Sequence, residues 1–122
     1  MTAKTTALAA LVMLVMLGAA CTREISFKDD VKPILGVCKS CHIAGGAGYK
    51  ASGFSVETYE SVMKGTKFGA MIEPGSSISS TLVILLEHKA DPSINMPHGK
   101  RPLPKKEIET IKTWIDQGAK NN

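Results

Sequence analysis

The pentapeptide Cys38-Lys39-Ser40-Cys41-His42 has the residue types and the spacing that bind a haem covalently. Two cysteines three positions apart lie on one side of a helical turn, so both thiols can add to the two vinyl groups along one haem edge. His42 follows directly and can present an imidazole nitrogen to the iron as its proximal ligand. The motif therefore predicts one covalent haem c, held by Cys38 and Cys41 and ligated by His42.

Other sites also use a Cys-x-x-Cys pair, and the sequence argues against two of them. A thioredoxin-like thiol pair is expected within a βαβ unit, and no stretch alternates in hydropathy for long enough to predict a sheet. A zinc site needs a second ligand pair, for which His88 and His98, ten positions apart, are poorly placed. Haem attachment would use Cys38 and Cys41, and Cys21 is a candidate for lipidation, so we expect no disulfide.

The second axial ligand is less well defined by the residues alone. Met63 lies on the apolar face of a predicted helix, which favours a packing role, whereas Met71 lies in a loop and could reach a haem. Met96 lies in an irregular stretch, and the proline after it favours an extended backbone from which the side chain can project inward. Ordinary core packing is the alternative for Met96. Ligation by His88 or His98 also stays open, although solvated surface positions are more usual for such histidines.

The N-terminal residues have the pattern of a secretory signal. Lys4 precedes an apolar run of 14 residues, 7–20, that ends in small residues. A membrane-spanning helix needs about 20 apolar residues, so this run predicts a removable leader. We expect residues 1–20 to be a signal peptide and the mature chain to be exported to the periplasm.

Cys21 follows the leader and is a candidate for a lipid anchor. The Ala19-Ala20 pair before it fits the acceptor pattern of bacterial lipoproteins, but Gly18 stands where leucine is usual. Ordinary cleavage after Ala20 is the alternative. With a lipid on Cys21, residues 21–26 would form a short tether to a membrane, and residues 27–122 the functional domain.

The charge of the chain is mild. The formal net charge is +4, and loss of Lys4 with the leader leaves 14 basic and 11 acidic residues, a net charge of +3. This balance does not predict nucleic-acid binding. Five basic residues near the predicted haem residues could steer acidic redox partners into transient contact: Lys39, Lys100, Arg101, Lys105 and Lys106. We expect a monomer.

Helical periodicity predicts an all-α domain of about four helices around the haem. The predicted helices span about 31–41, from near Ser55 to Gly65, 82–87 and 104–117. Asp29 or Asp30 is the expected cap of the first helix. The glycine-rich stretch 45–53 predicts an irregular loop.

Several short motifs resemble those of bacterial mono-haem class I cytochromes c. They follow one another in order through nearly all of the mature chain: Asp30-Val31-Lys32-Pro33-Ile34-Leu35, Cys38 to His42, Tyr59, Met63-Lys64-Gly65, Pro74-Gly75, Met96-Pro97, Leu103, Glu107-Ile108, Ile111, Trp114-Ile115 and Gly118-Ala119.

The resemblance implies a small cytochrome c fold whose N- and C-terminal helices cross, with His42 and Met96 as the axial ligands. It implies a one-electron carrier and not an enzyme, since both axial positions of the iron are filled. A haem-based sensor or ligand-binding module with a displaceable distal ligand is the alternative. His98 departs from the family pattern, in which a second proline usually follows Met-Pro.

Overall fold

Ser26 caps the first helical segment in a computed structural model that describes residues 22–122. Its Oγ accepts a hydrogen bond from the Asp29 amide at 3.1 Å, one of the amides that the start of a helix leaves without a partner. The predicted cap at Asp29 or Asp30 was therefore wrong. The predicted start near residue 31 agrees with the start of the α-helix at Lys32, but the π-helical turn before it was not predicted. A turn of π-helix, helix α1 and a 3₁₀ turn follow one another at Phe27–Val31, Lys32–Leu35 and Gly36–Cys38.

Four further helices complete the described part of the chain. They are α2 (Ala47–Ser52), α3 (Tyr59–Lys64), α4 (Thr81–Leu86) and α5 (Lys105–Asp116). Residues 22–122 contain no strand, and their only β-type pairing is an isolated bridge between Thr66 and Gly69. The all-α fold predicted from the sequence is confirmed.

The predicted helices agree with the structure to different degrees. Helices α4 and α5 begin and end within one or two residues of the predicted bounds. Helix α3 begins later than predicted, because Thr58 and not Ser55 is its cap: the Thr58 Oγ1 accepts from the Ser61 amide at 3.1 Å. Gly65, with φ 79°, ends α3 as expected. Helix α2 lies inside the stretch predicted as a loop.

Three aromatic rings join the N-terminal helical segment to α3 and α5. The Phe27 ring lies 5.2 Å from the Tyr59 ring and 5.4 Å from the Trp114 ring, centroid to centroid. Tyr59 donates its hydroxyl proton to the Ala119 carbonyl at 2.8 Å, and Trp114 donates Nε1–H to the Lys120 carbonyl at 2.9 Å. The cluster therefore packs the two ends of the domain together, with their polar atoms satisfied.

The residues just before the first helix are hydrogen-bonded to the last residues of the chain. The Gln117 side chain accepts from the Ile25 amide at 2.7 Å and donates to the Arg23 carbonyl at 3.0 Å. The Lys28 amide donates to the Asn122 carbonyl at 2.9 Å. Of the predicted tether 21–26, the part from Arg23 onward is thus held against the domain.

The predicted signal peptide, residues 1–20, and the predicted lipidation site Cys21 lie outside the described residues. Within residues 22–122, no helix has the length and the hydropathy that crossing a membrane requires.

Candidate haem site

The Cys38–His42 motif folds into a tight turn at the end of the first helical segment. The amides of Cys41 and His42 both donate to the Cys38 carbonyl, at 3.1 and 2.9 Å. Two short-range bonds to one carbonyl reverse the chain and fix the spacing of the three side chains. The structure thus brings together the three residues that the sequence predicts as attachment and proximal ligand residues.

The two thiols differ in environment. Cys41 is exposed, whereas Cys38 is half-buried and packs against the core, and both are free thiols. Burial raises the pKa of the Cys38 thiol, and the neighbouring Cys41 adds to the effect.

The His42 imidazole is oriented by the main chain of another segment. Its Nδ1 lies 3.2 Å from the Phe54 carbonyl oxygen, and since a carbonyl only accepts, Nδ1 carries the proton. The Phe54 ring also meets the imidazole edge-on, with centroids 5.5 Å apart. In this tautomer the other nitrogen, Nε2, has a lone pair available for a metal.

Helix α2 passes so close to His42 that one of its residues must be glycine. A Cβ added at Gly48 would lie 2.7 Å from Cε1, 2.9 Å from Nε2 and 3.0 Å from Nδ1 of the His42 ring. These near-equal distances place the added atom over the ring face and not in line with the Nε2 lone pair. The Tyr49 amide holds α2 there by donating to the Cys41 carbonyl at 2.9 Å.

These residues fit a covalently bound haem. The turn supplies two cysteine side chains that form no disulfide with each other. His42 supplies an imidazole whose tautomer is set by the Phe54 carbonyl, which leaves its Nε2 lone pair for a metal. Gly48 lets α2 pack directly against the ring face without a clash. A main-chain carbonyl on the remote nitrogen of a ligating histidine is a usual feature of metal sites, because it fixes the ring and raises its basicity.

Met96, the predicted distal ligand, lies in the loop after α4. Its side chain is half-buried and packs against the core, and its amide donates to the Leu85 carbonyl at 3.1 Å. Met71 is 8% exposed within the core, and Met63 packs against the core from α3. These positions agree with the packing role considered for Met63 and give Met71 one as well.

The two remaining histidines are placed differently from each other. His98 is exposed, as is usual for a surface histidine. His88 is half-buried, and its Nε2 donates to the Met96 carbonyl at 3.0 Å. The expectation of a solvated residue was therefore wrong for His88. No signal in the sequence pointed to this contact, because its acceptor is a main-chain atom.

Two surface grooves of about 520 and 320 Å³ lie along α4 and α5 and not at the cysteine turn. Glu87 is common to both, and its carboxylate pairs with Lys89 at 2.6 Å and with Lys112 at 3.2 Å. The hydrogen bond from Lys89 and that from Lys112 lower the pKa of Glu87. None of the predicted haem residues lines either groove.

The basic residues expected to steer redox partners are on the surface. All five are exposed, and none forms an ion pair within the part of the chain that the structure describes: Lys39, Lys100, Arg101, Lys105 and Lys106. Their charges are therefore open to an approaching protein.

The helical fold and the cysteine turn with its oriented histidine define a small haem-binding domain. A family model described as Planctomycete cytochrome C matches residues 38–98, half of the 122 residues, from the first motif cysteine to His98. The chain belongs to this family and is a haem-binding c-type cytochrome. Neither a curated protein nor a solved structure matches it.

Proposed function

We propose that this protein is a mono-haem class I cytochrome c that carries single electrons. Cys38 and Cys41 would hold the haem by thioether bonds, with His42 as proximal and Met96 as distal ligand. The observation that best supports the proposal is the His42 imidazole, whose Nδ1 is committed to the Phe54 carbonyl. A side chain oriented in this way serves as a permanent axial ligand.

Bound there, a haem supplies one-electron chemistry, because its iron changes charge by one unit without the loss of either ligand. The residues of the chain would hold the His42 ring in place. The Phe54 carbonyl fixes the His42 ring from one side, and Gly48 lets α2 cover the ring face. With Met96 in the sixth position, no substrate would have access to the iron, so the protein would be a carrier and not an enzyme.

Partners would be redox proteins that bind briefly through small surfaces. The exposed basic residues Lys39, Lys100 and Lys105 would favour partners with acidic surfaces, and such steering weakens as salt is added. We propose a monomer.

We also propose export to the periplasm, with residues 1–20 removed and a lipid on Cys21. The structure is in keeping with a short tether, because the Gln117 side chain donates a hydrogen bond to the Arg23 carbonyl. Only Thr22 then separates the lipidated residue from the part held against the domain. The intact mass of the exported protein tests this: it is higher by the lipid if Cys21 is acylated.

The function is tested by the optical spectrum of the ferric protein and of its Met96→Ala variant. We expect the weak long-wavelength charge-transfer band of methionine sulfur on ferric haem in the parent protein. The substitution should remove it and allow the reduced variant to bind carbon monoxide. Met63→Leu is the matched control, and it should retain the band.

The opposite result would favour the alternative class. If the parent protein lacks the methionine band and binds carbon monoxide readily when reduced, its iron has an open or displaceable position. The electron-carrier proposal would then be wrong, and a haem-based sensor or ligand-binding module would replace it.

A further inference from the structure

The main chain of Met96 is held from both sides, by Leu85 of α4 and by His88 just after this helix. Its amide donates to the Leu85 carbonyl at 3.1 Å, and its carbonyl accepts from His88 Nε2 at 3.0 Å. The second bond is the one contact between a side chain and the polar backbone of Met96 within residues 22–122. His88 thus fixes the residue that we propose as distal ligand.

The loop between His88 and Met96 is itself closed by side chains. Asn95, 8% exposed, accepts from the Ala90 amide and donates to the Ala90 carbonyl, both at 3.1 Å. Asp91 accepts from the amide and the hydroxyl of Ser93 at 2.8 and 2.6 Å. The loop is therefore folded back onto α4. His88 donates to Met96, the last residue of this loop.

His88 has a backbone conformation that favours glycine. Its φ is 55°, in the left-handed region where a Cβ is unfavourable. Glycine would relieve this strain, but it would also remove the donor to Met96. The position thus combines a local cost in stability with a specific contact, as is common at functional sites.

We propose that His88 is a positioning residue that strengthens the ligation of the haem iron by Met96. This inference rests on the proposed function, in which Met96 is the distal ligand. Displacement of Met96 by another ligand requires the loop to move, and the bond from His88 to the Met96 carbonyl is lost in that movement. The bond therefore favours the closed state over any state in which Met96 has left the iron.

The test is a titration of the ferric holoprotein with imidazole, which competes with Met96 for the iron. In His88→Gly, the apparent dissociation constant should fall about fivefold, the effect of one ordinary hydrogen bond on the equilibrium between closed and open states. The midpoint of unfolding in guanidinium should not fall, because glycine suits the backbone at this position. A general loss of structure would lower both the apparent dissociation constant for imidazole and the midpoint of unfolding.

Two further variants give the controls. His88→Gln retains an N–H donor near the position of Nε2 and should restore most of the resistance to imidazole. His98→Ala removes the exposed histidine on the other side of Met96 and should bind imidazole as the parent protein does.

The other possible results distinguish failure of this inference from failure of the proposed function. Equal imidazole affinity in the parent and His88→Gly proteins, with the methionine band present in both, overturns the inference and leaves the proposed function intact. Loss of the six-coordinate spectrum in His88→Gly without added ligand overturns it in favour of His88 as an iron ligand. A parent protein without the methionine band overturns the proposed function and this inference together.

Discussion

The Trp114→Ala variant is expected to lose about 3–5 kcal/mol of unfolding free energy, the usual cost of deleting a buried tryptophan side chain. Trp114 is 1% exposed and contacts Phe27, whose ring lies 5.4 Å away, and Tyr59, whose ring lies 6.4 Å away. The deletion leaves a cavity where the N-terminal segment, α3 and α5 meet, and it removes the hydrogen bond to the Lys120 carbonyl. The total free energy of unfolding of a small domain is about 5–15 kcal/mol, so this loss is a large part of it.

Guanidinium unfolding followed by circular dichroism measures the effect, since Trp114 is the one tryptophan of the chain and its fluorescence is lost in the variant. Ile78→Ala is the control: Ile78 is 85% exposed, so its truncation should change stability by no more than about 0.5 kcal/mol. Similar midpoints for the two variants would show that the aromatic cluster does not hold the ends of the domain together.

The second large effect is expected for Gly48→Ala. Alanine normally stabilises a helix interior by about 1 kcal/mol relative to glycine. Here the new methyl would lie 2.7 Å from His42 Cε1, and the ring cannot move away without loss of the bond from Nδ1 to the Phe54 carbonyl. We therefore expect a destabilisation of about 1–3 kcal/mol, as for other overpacked sites.

Gly36→Ala is the matched control. Gly36 also has helical dihedral angles, with φ −54°, but nothing lies within 4 Å of its added Cβ. This variant should be neutral or more stable than the parent protein. Electron paramagnetic resonance of the ferric proteins gives a second readout, because a rotated His42 ring alters the g-values. Equal stability and equal g-values for both variants would contradict the contact between α2 and His42.

The parts of the fold that follow from local rules could be predicted from the sequence. The bounds of α5 follow from Pro104 at its start, Gly118 after its end and an apolar stripe between them, and the structure agrees. The cysteine turn was predicted because its five residues are consecutive. Local information suffices for such features.

Helix α2 could not be predicted because tertiary contacts decide it. Several glycines lower the helix propensity of residues 45–53 and favour a loop. Gly48 is needed for the approach to His42, so the feature that suggested a loop is a packing requirement of a helix. The cap of the first helix was also predicted wrongly. Ser26, Asp29 and Asp30 are all residue types that cap helices, so residue type alone does not select one of them.

The hydrogen-bond partners of the site residues could not be predicted from the sequence either. Phe54 and Met96 accept hydrogen bonds from His42 and His88 through their carbonyl oxygens, which every residue has. Side-chain patterns carry no information on such contacts. The candidate ligands could be proposed from residue types and from the resemblance, whereas the groups that orient their side chains or main chain required the folded chain.

The intact mass of the denatured, exported protein shows whether haem is attached covalently through Cys38 and Cys41. We expect one haem per chain that stays bound through unfolding and acid–organic extraction, and that is extracted from the Cys38→Ala, Cys41→Ala double variant. The bare polypeptide mass after the same treatment of the parent protein would show that neither cysteine holds a haem.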